Sequence, residues 1–107
     1  VACLDQQGAL SRMSYLGGSR SDQARDLLID PAGDLWLVGE TRSSDFPRTL
    51  SASASASAKD FSGDTDAFVS RLSASQEQLL FSHVIAGQRG DSLHAASWRG
   101  GQELIAA

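Results

Sequence analysis

A chain of 107 residues, 41% hydrophobic and 21% charged, has room for one domain and enough apolar material to fold it. A formal charge of -4 disfavours a nucleic-acid or anionic-membrane surface, either of which needs a basic stripe. No apolar run approaches the roughly 20 residues that cross a bilayer, and the single cysteine, Cys3, excludes an internal disulfide.

The first predicted strand is Val1–Leu4. Val1-Ala2-Cys3 is similar to the end of a lipoprotein signal, which would leave Cys3 lipidated; the favoured expectation is a small buried residue at the start of a strand. There is no starting Met and no charged-then-apolar leader, so no intact signal peptide is expected in the given chain. A turn at Asp5–Gly8 leads to a second strand, Leu10–Leu16, and the Gly-rich stretch Gly17–Asp22 leads to a third, Ala24–Asp30. After a turn at Asp30–Asp34, Leu35–Glu40 holds the most apolar run, Leu35-Trp36-Leu37-Val38. Its lack of polar alternation predicts a strand covered on both faces, with Trp36 in the core. Gly39 stops that run, Thr41 to Asp45 is rich in turn formers, and Phe46-Pro47 forms an aromatic-proline anchor, because Pro47 has no N–H for a ladder.

The alternating Ser and Ala of Ser51 to Ala58 hold nothing large to bury and lengthen the link to the fifth strand well past a hairpin loop. The remaining predicted strands are Asp66–Leu72, Leu79–Ile85, Ser92–Trp98 and Glu103–Ala107, with turns at Ser73–Gln78, Gly87–Asp91 and Arg99–Gln102. No segment carries a capped apolar stripe of helical period, so the expectation is an all-β chain.

The chain also repeats itself. Ser14 to Asp22 (SYLGGSRSD) resembles His83 to Asp91 (HVIAGQRGD) at an offset of 69 residues, and Pro31 to Val38 parallels Arg99 to Ala106 at 68. Val1-Ala2-Cys3-Leu4 aligns with Val69-Ser70-Arg71-Leu72, again at 68. Residues 1–22 therefore read as the second half of one repeat, 23–85 as one whole repeat with a low-complexity insertion at 51–62, and 86–107 as the start of a degenerate third, so that both ends are cut mid-repeat.

The order SYLGGS at Ser14–Ser19, then Asp22, then Ile29 to Thr41, then Ser44-Asp45-Phe46-Pro47, then Asp66 to Leu72 resembles the bacterial beta-propeller repeat known as SBBP. That resemblance implies blades of four antiparallel strands, about two blade-equivalents here, within large secreted or cell-envelope proteins. It implies further blades as partners and no particular activity, since propellers carry unrelated functions.

Candidate chemistry is sparse. Asp60, Asp64 and Asp66, spaced within a Gly-containing loop, offer oxygen ligands for calcium, although the spacing is not that of an EF-hand and Asp is common in turns. Asp22 and Asp91 stand at equivalent repeat positions and are expected to accept backbone N–H groups, with a ring of channel-facing carboxylates as the functional alternative. His83 and His94, on strands predicted to be adjacent, lack a third zinc ligand. Ser14, Ser43, Ser44 and Ser82 lie in no nucleophile elbow. Trp98, beside Arg99-Gly100-Gly101, is the candidate for a sugar or other ligand surface. Trp36, Gly39, Phe46, Pro47, Phe68, Asp22 and Asp91 are expected to be structural. The expected function is therefore a non-enzymatic scaffold without cofactor; the alternative is a small carbohydrate-binding subunit that completes a propeller by homo-oligomerisation.

Overall fold

The computed structural model describes residues 1–49, 65–85, 93–99 and 103–106. These residues form only β-strands and their connections: β1 (Ala2–Leu4), β2 (Leu10–Met13), β3 (Asp22–Ile29), β4 (Leu35–Thr41), β5 (Asp66–Leu72), β6 (Leu79–Ile85), β7 (Ala96–Arg99) and β8 (Glu103–Ala106). The fold is all-β, and every pairing is antiparallel. A four-stranded meander, β3-β4-β5-β6, carries a two-stranded hairpin on either side of it in sequence, β1-β2 before and β7-β8 after.

The hairpins repeat the two halves of the meander in register as well as in sequence. In β1-β2 the pairs are Ala2↔Met13, Cys3↔Arg12 and Leu4↔Leu10, with a register shift between Cys3 and Leu4. In β5-β6 the corresponding pairs are Ser70↔Ser82, Arg71↔Phe81 and Leu72↔Leu79, with the shift at the matching place between Arg71 and Leu72. Likewise Ala96↔Ala106 through Arg99↔Glu103 stand where Asp26↔Val38 through Ile29↔Leu35 stand. β8 keeps the 68-residue offset from β4, while β7 lies 70 residues from β3, so the second turn is two residues shorter. A turn absorbs that change without disturbing the ladder.

One face of the meander is the core. Cross-strand register puts Leu35 beside Leu72, Leu37 beside Ser70, and Gly39 beside Phe68; Leu35, Leu37, Phe68, Leu72, Val84 and Phe46 form one buried cluster, with Val1, Leu16 and Leu79 packed against it. Phe46 arrives from the loop after β4 and lies on Phe68, ring centroids 4.6 Å apart. The chain is then tied down at β6: the Ser82 hydroxyl donates to Pro47 O at 2.6 Å, and the Ser82 amide donates to Thr49 Oγ1 at 2.7 Å. The aromatic-proline segment is thus a strap drawn across the sheet. It needs small residues beneath it, and Ser70 and Ser82, hydrogen bonded at 2.8 Å and fully buried, provide them.

Gly39 is required by close approach. A Cβ there would lie 2.1 Å from the carbonyl oxygen of Gln23 and 2.9 Å from Cα of Ala24 on β3, where the β3–β4 register also shifts. Only a residue with no side chain lets the two strands cross at that point.

Several strand ends differ from expectation. β2 stops at Met13 rather than Leu16, because pairing with β1 ends where Ser14 N donates to Val1 O. Beyond it Tyr15 is 88% exposed, while Leu16 turns back to the core. β3 starts at Asp22 because Asp22 pairs with Thr41, which extends β4 as well. β7 begins at Ala96, after a backbone bond from Leu93 N to Gly39 O at 3.4 Å.

Candidate functional site

Two carboxylate clusters sit at opposite ends of the β3-β4 hairpin. At the open end, Asp22 accepts from the Gly18 amide at 2.8 Å, from the Ser43 hydroxyl at 3.1 Å, and from the Thr41 hydroxyl through a short contact. The surrounding bonds close a loop-to-loop lock: Arg20 N donates to Ser43 Oγ at 2.9 Å, Arg42 N to Ser21 O at 2.8 Å, and the Ser19 amide and hydroxyl both donate to Asp45 Oδ1. The Ser19 amide and then its hydroxyl hold the Asp45 carboxyl below its ordinary range. Gly18 is confined within this lock, since a Cβ there would lie 2.3 Å from Cβ of Ser43. The Gly17-Gly18-Ser19 and Thr41-x-Ser43-x-Asp45 motifs are therefore two sides of one joint.

At the turn end, Asp30 is buried, and its carboxylate accepts three hydrogen bonds and makes one ion-pair contact. Its Oδ1 takes the Ala32 and Asp34 amides, each at 2.9 Å, and its Oδ2 takes Trp36 Nε1 at 3.0 Å, with Arg71 Nη2 at 3.4 Å. Arg71 also meets Asp34 at 2.6 Å and lies over the Trp36 ring, 5.4 Å from its centroid. Burial pushes the Asp30 carboxyl up, but the bonds from Trp36, Asp34 and Ala32, with the charge of Arg71, together outweigh it and hold it below its ordinary value.

Trp36 is consequently half-buried rather than enclosed in the core. It lies on the face opposite the core cluster, tilted against Phe81 at 5.9 Å, because alternation within an apolar run sends neighbouring residues to different faces. The expected neighbours His83 and His94 are also separated: His83 is in β6, at one edge of the meander, while His94 precedes β7, which contacts β3 at the other. Among the described residues no group of three or more His, Cys, Asp or Glu is placed to hold a metal ion.

Asp66 is 1% exposed and pairs with Thr41 in the ladder; its two calcium companions, Asp60 and Asp64, lie outside the described residues, as does Asp91. The backbone of Trp98 pairs with Leu104 in β7-β8, and its side chain lies outside the description. Phe46 and Phe68 are buried, Pro47 half-buried, and Cys3 is a half-buried free thiol. Ser14 donates to Gln76 Oε1 at 3.1 Å and Ser44 is exposed.

Sequence reasoning missed Asp30, Asp34 and Arg71 as a cluster, although the Asp-Pro-Ala-Gly-Asp run carried half of the signal. Asp at the head of a turn accepts the amide two residues on.

A cleft of about 510 Å³ opens between the β1-β2 hairpin and β3. Val1, Ala2 and Leu16 form one wall, and Asp22 to Leu27, with Leu37 and Phe68, form the other. Its charged groups, Asp22, Arg25 and Asp26, already have partners: Arg25 pairs with Glu40 at 3.0 Å and Asp26 accepts the Ala96 amide at 2.9 Å. The hydroxyls that meet a carboxylate in these clusters, Thr41 and Ser43 on Asp22, are fully buried within the joint. No helix among the described residues is long and apolar enough to cross a membrane. No family model matches this chain, and neither a curated protein nor a solved structure matches it.

Proposed function

We propose that this chain is a section of a β-propeller and serves as a non-enzymatic structural or interaction scaffold, part of a larger secreted or cell-envelope protein. The observation that carries this reading is the duplication of pairing. The hairpin before the meander reproduces its second half, register shift included, and the hairpin after it reproduces its first half. A chain built from one repeating sheet has each sheet covered by its neighbours, and its stability is a sum over repeats and their contacts. The side chains with chemical potential support the same reading. Asp22, Asp45, Asp30 and Arg71 hold loops and turns together.

Native-state hydrogen exchange tests the reading. The amides of β3, β4, β5 and β6 should open together at the highest free energy in the chain, with the β1-β2 and β7-β8 amides exchanging earlier. Exchange of β6 independently of β3 to β5 would show that the meander is not a unit and would sink the blade reading.

A further inference from the structure

The two edge strands of the meander differ in how they resist unwanted pairing. In the sheet order β3-β4-β5-β6 the outer strands are β3 and β6. A strand edge offers its N–H and C=O groups to any other strand that meets it, and charged side chains along it are a common deterrent. β3 carries Asp22, Arg25 and Asp26. β6 reads Leu79-Leu80-Phe81-Ser82-His83-Val84-Ile85, with no Asp, Glu, Lys, Arg or Pro. A segment of that length, apolar, β-favouring and almost without charge, has the composition that pairs with copies of itself. Leu80 and Ile85 on it are 43% and 45% exposed.

What β6 has in place of charge is the strap. Thr49 N donates to Ser82 O at 3.1 Å, and Ser82 N donates to Thr49 Oγ1 at 2.7 Å. Ser82 is the middle residue of β6, and these two groups face away from β5, on the side where a fifth strand would bond. Thr49 thus offers one amide and one hydroxyl where a pairing residue would offer an amide and a carbonyl. The strap is held there from its other end, by Phe46 on Phe68 with ring centroids 4.6 Å apart and by the Ser82 hydroxyl on Pro47 O at 2.6 Å. With no N–H at Pro47 it cannot go on pairing along β6.

We propose that Thr49 is an edge guard: by occupying the central amide and carbonyl of β6, it keeps β6 of a second copy of this chain from pairing there. The runs left on either side, 79–81 and 83–85, are three residues each, short of the roughly five or six of an ordinary strand. An incoming strand long enough to pair stably must first displace Thr49. The Phe-Pro segment therefore does two things at once, filling the core with Phe46 and placing Thr49 on the edge.

Thr49 is exposed, so a substitution there disturbs no core packing. Thr49→Val removes the hydroxyl that accepts from Ser82 and keeps the side chain's size. In the full chain, folded by circular dichroism, it should speed hydrogen exchange of the Ser82 amide about tenfold. Light scattering at rising concentration should then show larger species than the unmodified chain gives. Thr49→Ser, which keeps a hydroxyl, should match the unmodified chain on both readings. Leu80→Lys added to Thr49→Val places a charge on the edge and should abolish the added association. Unchanged Ser82 exchange or unchanged association in folded Thr49→Val overturns the inference, as does added association that survives Leu80→Lys. Should Thr49→Val fail to fold, Leu80→Lys alone is compared with the unmodified chain. Equal association is the expected result, since the edge is already closed; a fall in association would show β6 pairing past the strap and overturn the inference.

Discussion

The two ends of the β3-β4 hairpin solve the same problem with different chemistry. At the open end Asp22 gathers an amide and two hydroxyls from residues 4 to 21 positions away, and no cation takes part in these three bonds. At the turn end Asp30 gathers local amides and an indole N–H, and adds Arg71 from β5. Neutral donors fixed by backbone geometry give direction without sensitivity to salt. A guanidinium that is one-third exposed adds a contact that water and ions screen. The open end is the joint between segments, while the turn end is a brace on a hairpin that would form without it.

Removing Asp22 should therefore cost most. Asp22→Ala leaves the Gly18 amide and the Thr41 and Ser43 hydroxyls without their acceptor, and buried donors stranded in this way should lower unfolding free energy by about 3 kcal/mol. Urea denaturation followed by tryptophan fluorescence measures it. A loss below about 1 kcal/mol would mean that water reaches these donors and that the joint is held by packing alone.

The turn end should respond less. Asp30→Ala removes acceptors for two turn amides that solvent can partly replace, and for the Trp36 indole, which it cannot, giving a loss of about 2 kcal/mol. Trp36→Phe isolates the indole bond and should cost about 1 kcal/mol. If Asp30→Ala proves more damaging than Asp22→Ala, the brace and the joint exchange roles.

That contrast also explains what the sequence made legible. Runs such as Leu35–Val38 and Asp66–Leu72 announce strands because burial and alternation are local properties, and both appear as β4 and β5. The motifs Gly-Gly-Ser and Ser-x-Asp-Phe-Pro were visible as turn chemistry, but that Ser19 donates to Asp45 is a long-range fact, set where β3 and β4 run out of ladder. Arg71 and Asp34 are 37 residues apart, and only the β4–β5 register brings them within 2.6 Å. Trp36 was misplaced for the same reason. An apolar run identifies a strand between two covered faces without saying which face carries the hydrogen-bond acceptor, here Asp30. The separation of His83 from His94 likewise depends on sheet order, which adjacency in sequence does not supply.

The smallest expected effect separates the two ends most sharply. Both the Asp30 and Asp45 carboxyls lie below their ordinary value of 3.8 in the folded chain. A depressed carboxyl contributes stability that is fully present above its unfolded pKa, near about 3.9, and is lost as pH falls through the lower folded value. The urea midpoint should hold steady at neutral and mildly acidic pH and decline below about pH 4. Asp30→Asn should make that decline shallower without abolishing it, because Asp45 still titrates under the two Ser19 bonds. Among the interactions that lower Asp30, the Trp36 bond leads and the charge of Arg71 ranks last. Raising the salt to about 1 M, where charges are screened beyond roughly 3 Å, should therefore leave most of the Asp30-dependent part of the decline in place. Its disappearance in salt would assign that part to Arg71, and the turn end would then be an ion pair first and a hydrogen-bonded brace second.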